Sequence, residues 1–261
     1  MTWHTGPLAL FDTETTGVDP HRDRIVTAAL IIIEPHRDRL VTSWLLNPGI
    51  PIPQDATDVH GITDANVRED GMPAVEGILD IANHLLSTGL PTVGHNISFD
   101  LTMLWSELIR HGWDDTAHDL AALRPVIDTM VLDKWADPWR PKEPTKRCPD
   151  PAKCGSRRLI DTCRIYGVRL DEKDAHGAEA DALAAGRLAW AIANRYPGAQ
   201  GSAGDVHDWL VGAKREQADS FGAYLLRQGK PDAVSREWPF QSPPAGWTPE
   251  QLPQPREQAS A

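Results

Sequence analysis

The first 46 residues alternate between apolar runs and polar, turn-forming breaks. Leu8–Thr13, Ile25–Glu34 and Leu40–Leu46 read as three strands. Val18-Asp19-Pro20-His21 and Pro35-His36-Arg37-Asp38 separate them. Connections this short join antiparallel neighbours, so a three-strand meander is predicted. Ile50 to Met72 shows no period and reads as irregular. Beyond it the spacing becomes helical. Val75, Ile78, Leu79, Ala82, Leu85 and Leu86 predict one helix; Leu101, Leu104, Trp105, Leu108 and Ile109, with Gly112 at the stop, predict a second. Thr92-Val93-Gly94 and Val126–Met130 read as a fourth and fifth strand, and Leu159–Tyr166 as a short helix. Ala178–Tyr196 reads as an Ala-rich helix stopped by Pro197-Gly198. A meander followed by alternating helices and strands predicts an α/β fold, a mixed five-stranded sheet covered by helices.

The pattern changes near residue 200. Asp205–Gln228 predicts one amphipathic helix with Val206, Trp209, Leu210, Ala213, Phe221, Tyr224 and Leu225 on its apolar side; it is expected to pack back on the main domain, with the binding of a partner protein as the other open reading. After Trp238 six prolines dominate (Pro239, Pro243, Pro244, Pro249, Pro253, Pro255), which predicts an extended or disordered tail. The expected division is a domain over 1–197, a helical extension over 198–237 and a tail over 238–261.

Composition is that of an ordinary globular chain: 261 residues, 41% hydrophobic, 24% charged. The net charge of −11 excludes nucleic-acid binding by bulk charge and leaves it to a local patch. Residues 134–158 supply one. Lys134, Arg140, Lys142, Lys146, Arg147, Lys153, Arg157 and Arg158 stand against Asp137, Glu143 and Asp150, a net +5, with Trp135 and Trp139 interleaved. Two readings are open: a basic insertion that guides single-stranded substrate, or a solvated loop with Trp135 packed in the core. Three cysteines (Cys148, Cys154, Cys163) form no disulfide framework and match no common zinc spacing. Cys163 is expected in the core, no disulfide-linked partner is expected, and a reducing cytoplasm suits the chain. The N-terminus shows no signal-peptide pattern, and no apolar run is long enough to span a membrane.

Asp12-Thr13-Glu14-Thr15-Thr16-Gly17 carries the most chemistry. On a strand, residues i and i+2 share a face, so Asp12 and Glu14 project together. Side by side they repel unless a cation lies between them, and an oxygen-only donor set suits Mg²⁺. His95-Asn96-Ile97-Ser98-Phe99-Asp100 precedes the second helix. Taken alone it reads as helix-start chemistry, with Asn96 or Ser98 capping and Asp100 complementing the dipole. His176-Gly177-Ala178-Glu179-Ala180-Asp181 opens the Ala-rich helix. Ala178, Ala182, Ala185 and Ala189 make a small-residue face, so Asp181 beside it can reach the strand of Asp12 and Glu14. His176 is expected on the loop entering that helix, placed to act as a base on water.

In this order (Asp-x-Glu, Asn-x-x-x-Asp, His-x-Ala-x-x-Asp) the three stretches resemble the DEDD exonuclease superfamily. The likeness is to its histidine branch, which includes the proofreading subunit of bacterial replicative polymerase and RNase T-like enzymes. It covers residues 6–196, and His60-Gly61-Ile62-Thr63 is similar to a family segment. The resemblance implies an RNase H-like three-layer fold with helices on both faces of the sheet, and 3′–5′ exonuclease activity releasing nucleoside 5′-monophosphates. It implies Asp12, Glu14, Asp100 and Asp181 as ligands of two Mg²⁺ ions, with Mn²⁺ able to substitute, and His176 as the base. Thr15, Thr16, Gly17, His60, Asn96 and Phe99 would hold the terminal nucleotides. Single-stranded DNA or frayed 3′ ends are the expected substrate, with RNA as the alternative, and a DNA polymerase is a candidate partner. The rival reading is a non-catalytic nucleic-acid-binding accessory module.

Overall fold

The computed structural model describes residues 2–138, 140, 155–171 and 175–249. Its first half comprises strands β1 (Leu8–Thr15), β2 (Ile25–Ile33) and β3 (Leu40–Asn47), helices α1 (Gln54–His60) and α2 (Asp64–Glu69), strand β4 (Met72–Pro73), helix α3 (Ala74–Ser87), strand β5 (Thr92–Gly94) and helix α4 (Ser98–Arg110). The second half comprises α5 (Asp114–Ala121), β6 (Val126–Asp128), α6 (Thr129–Ala136), α7 (Leu159–Tyr166), α8 (Ala178–Arg195) and α9 (Ala203–Arg227).

One sheet runs in the order β4-β3-β2-β1-β5-β6. The β1–β2–β3 meander is antiparallel, and the other pairs are parallel. The sheet thus has six strands where five were expected. The added β4 is two residues at the edge beside Leu46 and Asn47, too short to show a period, and an edge tolerates its Pro73. Directly paired residues share a face. Leu10, Asp12 and Glu14 therefore share one face with Ile31, Ala29 and Thr27, and α8 covers it. Gly186 of α8 lies so close that a Cβ would come within 2.5 Å of Leu10 Cδ1. The opposite face packs against α3, where Trp44 Nε1 donates to Asp80 at 2.7 Å and Leu46 meets Gly77.

Other expectations are corrected locally. The predicted strand Val126–Met130 ends at Asp128, because that carboxylate accepts from Met130 N and Val131 N and caps α6. The irregular stretch Ile50–Met72 contains α1 and α2. Helix α1 buries no residue, so it leaves no apolar stripe to read. In α9, Val206, Leu210, Ala213 and Ala218 are buried, but Phe221 and Tyr224 are about half exposed (53% and 49%) and stack on each other. The helix still packs back on the domain: Trp209 meets Trp135 edge-on at 4.5 Å, and Gln217 donates to Val131 O. Residues 238–249 have no regular structure, yet Trp238 is buried, so this part of the expected tail is laid on the domain.

Candidate active site

Asp12 and Glu14 leave the carboxyl half of β1 on the α8 face, opposite Ala29 and Thr27 of β2. Those small partners line a cavity that Glu14 also lines. The close approach of α8 brings Asp181 to the same point, and one oxygen from each of Asp12, Glu14 and Asp181 lies within 4.8 Å of the others. Burial raises all three proton affinities, and neighbouring carboxylates add to it for Asp12 and Glu14. Burial dominates for Asp12, followed by the charges of Asp100, Asp181 and Glu14. Glu14 is pushed up to about 8 by burial, then by Asp181 and Asp100. Asp181 is raised by burial, and its Oδ1 is buried with no hydrogen-bond partner.

Asp100 stands apart from this trio. In the first turn of α4 it reaches the β1 backbone: its Oδ1 accepts from Thr13 N at 3.0 Å and Thr13 Oγ1 at 2.7 Å. Burial lifts it to about 7, against the lowering effect of those hydrogen bonds. No side chain caps α4. The amide of Asn96 instead donates to Asp128 Oδ1 at 3.0 Å, and Asn96 adopts a left-handed φ of 62°. Asn can hold that conformation at small cost. Asn96 is exposed and Phe99 half-buried against the core.

His176 sits, exposed, on the turn before α8, also left-handed (φ 65°), with its N–H donating to Asp181 Oδ2 at 3.3 Å. It shares a cavity of about 950 Å³ with Glu14, Thr27, Ala29, His60 and Arg187. His60 accepts from Ile62 N at 3.1 Å, faces the Thr15 backbone, and is held below the usual imidazole range by burial. Thr15 Oγ1 donates to Gly17 O. The Thr16 hydroxyl is buried and accepts from Arg24 N at 3.0 Å, which removes it as a side-chain contact for a substrate.

Two features escaped the sequence reading. Asp128 organises the Asn96 loop; its signal was an acidic residue between an apolar triplet and a helix start. Arg187 adds a cation to the acidic cavity, and spacing alone does not reveal where it points. The basic segment is also partly reassigned. Arg140 and Arg157 pair with buried Asp133, and Arg158 with Asp161, so these three are structural. Trp135 packs against α9. Trp139, Lys142, Lys146, Arg147, Cys148, Lys153 and Cys154 lie outside the described residues. Cys163 is free and buried, as a core residue.

A mixed RNase H-like sheet whose first strand ends in an acidic cluster defines a nuclease of the DEDD type. The chain belongs to the RNase_T exonuclease family, whose model matches residues 10–189. It is 27% identical over 183 residues to a DNA polymerase III PolC-type protein of Lacticaseibacillus paracasei, covering 70% of this chain and 11% of that protein. It is 38% identical over 128 residues to a DNA polymerase III subunit epsilon-like protein of Rhodobacter capsulatus, covering 47% and 16%. Its fold is similar to the zinc-bound E. coli exonuclease I–single-stranded DNA complex, with TM-score 0.59 and 20% identity over 84% of this chain and 45% of that one. Exonuclease I of Methylocaldum szegediense gives 0.58 and 24%, over 85% and 45%. The match therefore spans under half of these solved chains and a small fraction of the polymerase proteins.

Proposed function

We propose that this chain is a divalent-metal-dependent 3′–5′ exonuclease that hydrolyses the terminal phosphodiester of DNA and releases nucleoside 5′-monophosphates. The observation that carries the reading is the trio Asp12, Glu14 and Asp181, three clustered carboxylates that form no ion pair with a lysine or arginine among the described residues, one with a buried oxygen lacking any hydrogen-bond partner. An oxygen-only donor set fits Mg²⁺, with Mn²⁺ as a substitute. Asp12, Glu14 and Asp181 would hold one ion, and Asp12 with Asp100 the second. Bound there, the ions supply charge neutralisation and Lewis-acid polarisation of water and phosphate.

The protein's own groups do the rest. His176 takes the proton of the attacking water on a ring nitrogen, and its exposure on the cavity that Glu14 lines supports that role. Arg187 offers a guanidinium to a substrate phosphate in the same cavity. Asn96, Phe99, His60 and the Thr15–Gly17 backbone hold the terminal nucleotide, with Thr16 acting through its backbone only. Likeness to polymerase III proteins supports DNA over RNA, a polymerase as partner, and the cytoplasm as the place of work.

Digestion of matched single-stranded DNA and RNA oligonucleotides, labelled at the 5′ end, tests this. The expected result is an EDTA-sensitive ladder shortening from the 3′ end, faster on DNA. Immediate release of the labelled nucleotide overturns the polarity, and no cleavage by folded protein overturns the activity.

A further inference from the structure

Residues 238–247 cross three separate segments of the domain. Trp238, 7% exposed, directs Nε1 at Asp128 Oδ2 at 3.4 Å. The other oxygen of Asp128 accepts from Asn96 N at 3.0 Å and Met130 N at 2.8 Å. Further along, Gln241 N donates to Thr102 Oγ1 at 3.1 Å, and Gln241 Nε2 to Ser98 Oγ at 3.3 Å. Both acceptors lie in the first two turns of α4, on either side of Phe99 and Asp100. Finally Trp247 Nε1 donates to His21 O at 2.9 Å, an oxygen that Arg110 also holds, and its ring packs against His21 and Trp105.

The three points of attachment follow a pattern. They are the β6–α6 junction that orients Asn96, the start of α4 that carries Phe99, and the 16–24 loop that follows Thr15–Gly17. None of these contacts falls on Asp12, Glu14, Asp181 or His176. We propose that residues 238–247 form a positioning strap for the terminal-nucleotide pocket, with Trp238 and Gln241 as positioning residues. Trp238 acts through Asp128 on the left-handed Asn96, a conformation that its surroundings must hold. Gln241 acts through Ser98 and Thr102 on the pose of Phe99. The strap therefore governs how tightly the end of the chain is held and leaves proton transfer untouched. This rests on the exonuclease reading above.

The test uses the full chain with Trp238→Phe, which keeps an aromatic ring but removes the N–H together with the rest of the pyrrole ring, and Gln241→Ala, a half-buried position whose loss leaves the core filled. Each is measured for kcat and KM on a single-stranded oligodeoxynucleotide, for the Kd of thymidine 5′-monophosphate with Mg²⁺ by calorimetry, and for Tm. One lost hydrogen bond predicts KM and Kd both raised about three- to tenfold, with kcat nearly unchanged. A lower Tm or kcat with KM and Kd unchanged marks a merely structural segment and overturns the proposal. If the wild type binds the mononucleotide but does not digest DNA, and the variants weaken that binding, the strap stands and the exonuclease reading falls. If the wild type does neither, both fall.

Discussion

Two carboxylate sites in this molecule, one fully buried and one half-buried, are built on opposite principles. Asp133, fully buried on α6, takes Arg140 on one oxygen and Arg157 at 2.6 Å on the other, and Tyr166 adds a hydrogen bond. Asp12, Glu14 and Asp181 at the end of β1 cluster with one another and form no ion pair with a lysine or arginine among the described residues, though the His176 N–H donates to Asp181 Oδ2. Removing a charge from water costs several kcal/mol, and an opposite charge at contact distance offsets it. The first set meets that requirement with arginines and is complete as protein. The second meets it by holding protons, which raises its carboxyl pKa values, or by holding an ion. Pairing with arginine therefore distinguishes Asp133 from the three carboxylates proposed as ion ligands.

Matched neutral substitutions at the two sites give the largest expected contrast. Asp12→Asn removes the carboxylate shared by both proposed ion sites. Turnover should fall on the order of 10³-fold or more, since several kcal/mol of charge stabilisation is lost. Stability in EDTA should hold or rise, because one repelling group is gone. Asp133→Asn should strip Arg157 of its carboxylate, leave Arg140 only Asp137 at 3.5 Å, and cost about 3–5 kcal/mol in denaturant unfolding. Asp12→Asn retaining normal turnover, or destabilising as much as Asp133→Asn, would erase the distinction.

The next contrast lies at the entry to α8. Asp181 is a ligand candidate and His176, on the turn before the helix, the proposed base, so their losses should differ in kind. His176→Ala should slow single-turnover hydrolysis by ~10²–10⁴-fold while leaving Mg²⁺ affinity unchanged. A loss of metal affinity in that variant would move His176 into the ligand set, and an unchanged pH–rate profile would assign the base elsewhere.

What the sequence made legible follows from the range of each signal. Asp12 and Glu14 are two apart on one strand, so local alternation places them together. The Ala face of α8 is also local, and it announces a close approach that brings Asp181 in. Asp100 is different: its surroundings alone read as a helix start, and only the order of the motifs raised it. Long-range pairing left no trace in spacing. A count of positive charge over 134–158 cannot distinguish a phosphate contact from Arg140 and Arg157 clamping a carboxylate. Residues 239–249 carry no regular structure, as their prolines suggest, but regularity and packing are separate properties. Trp238 and Trp247 are anchored by Asp128 and His21, more than a hundred residues away in sequence.

The smallest expected effect is a dependence of metal stabilisation on pH. Glu14 has its folded pKa raised to about 8 and Asp100 to about 7, above their ordinary values of 4.5 and 3.8. The folded, metal-free protein therefore binds more protons than the unfolded chain between those limits. Stability from this source is fully present below the unfolded values and is lost as pH rises through about 7 to 8. An ion replaces those protons, so Mg²⁺ competes poorly at pH 5 and well at pH 8.5. At a hundredfold excess over Kd the ion contributes ~2.7 kcal/mol, which thermal unfolding resolves. The Tm gain on adding Mg²⁺ should accordingly be several degrees at pH 8.5 and near zero at pH 5. It should vanish at both in Asp12→Asn and persist in Asp133→Asn. An equal gain at the two pH values would mean that the carboxylates are ionised without the metal, and would remove the contrast between the two sets.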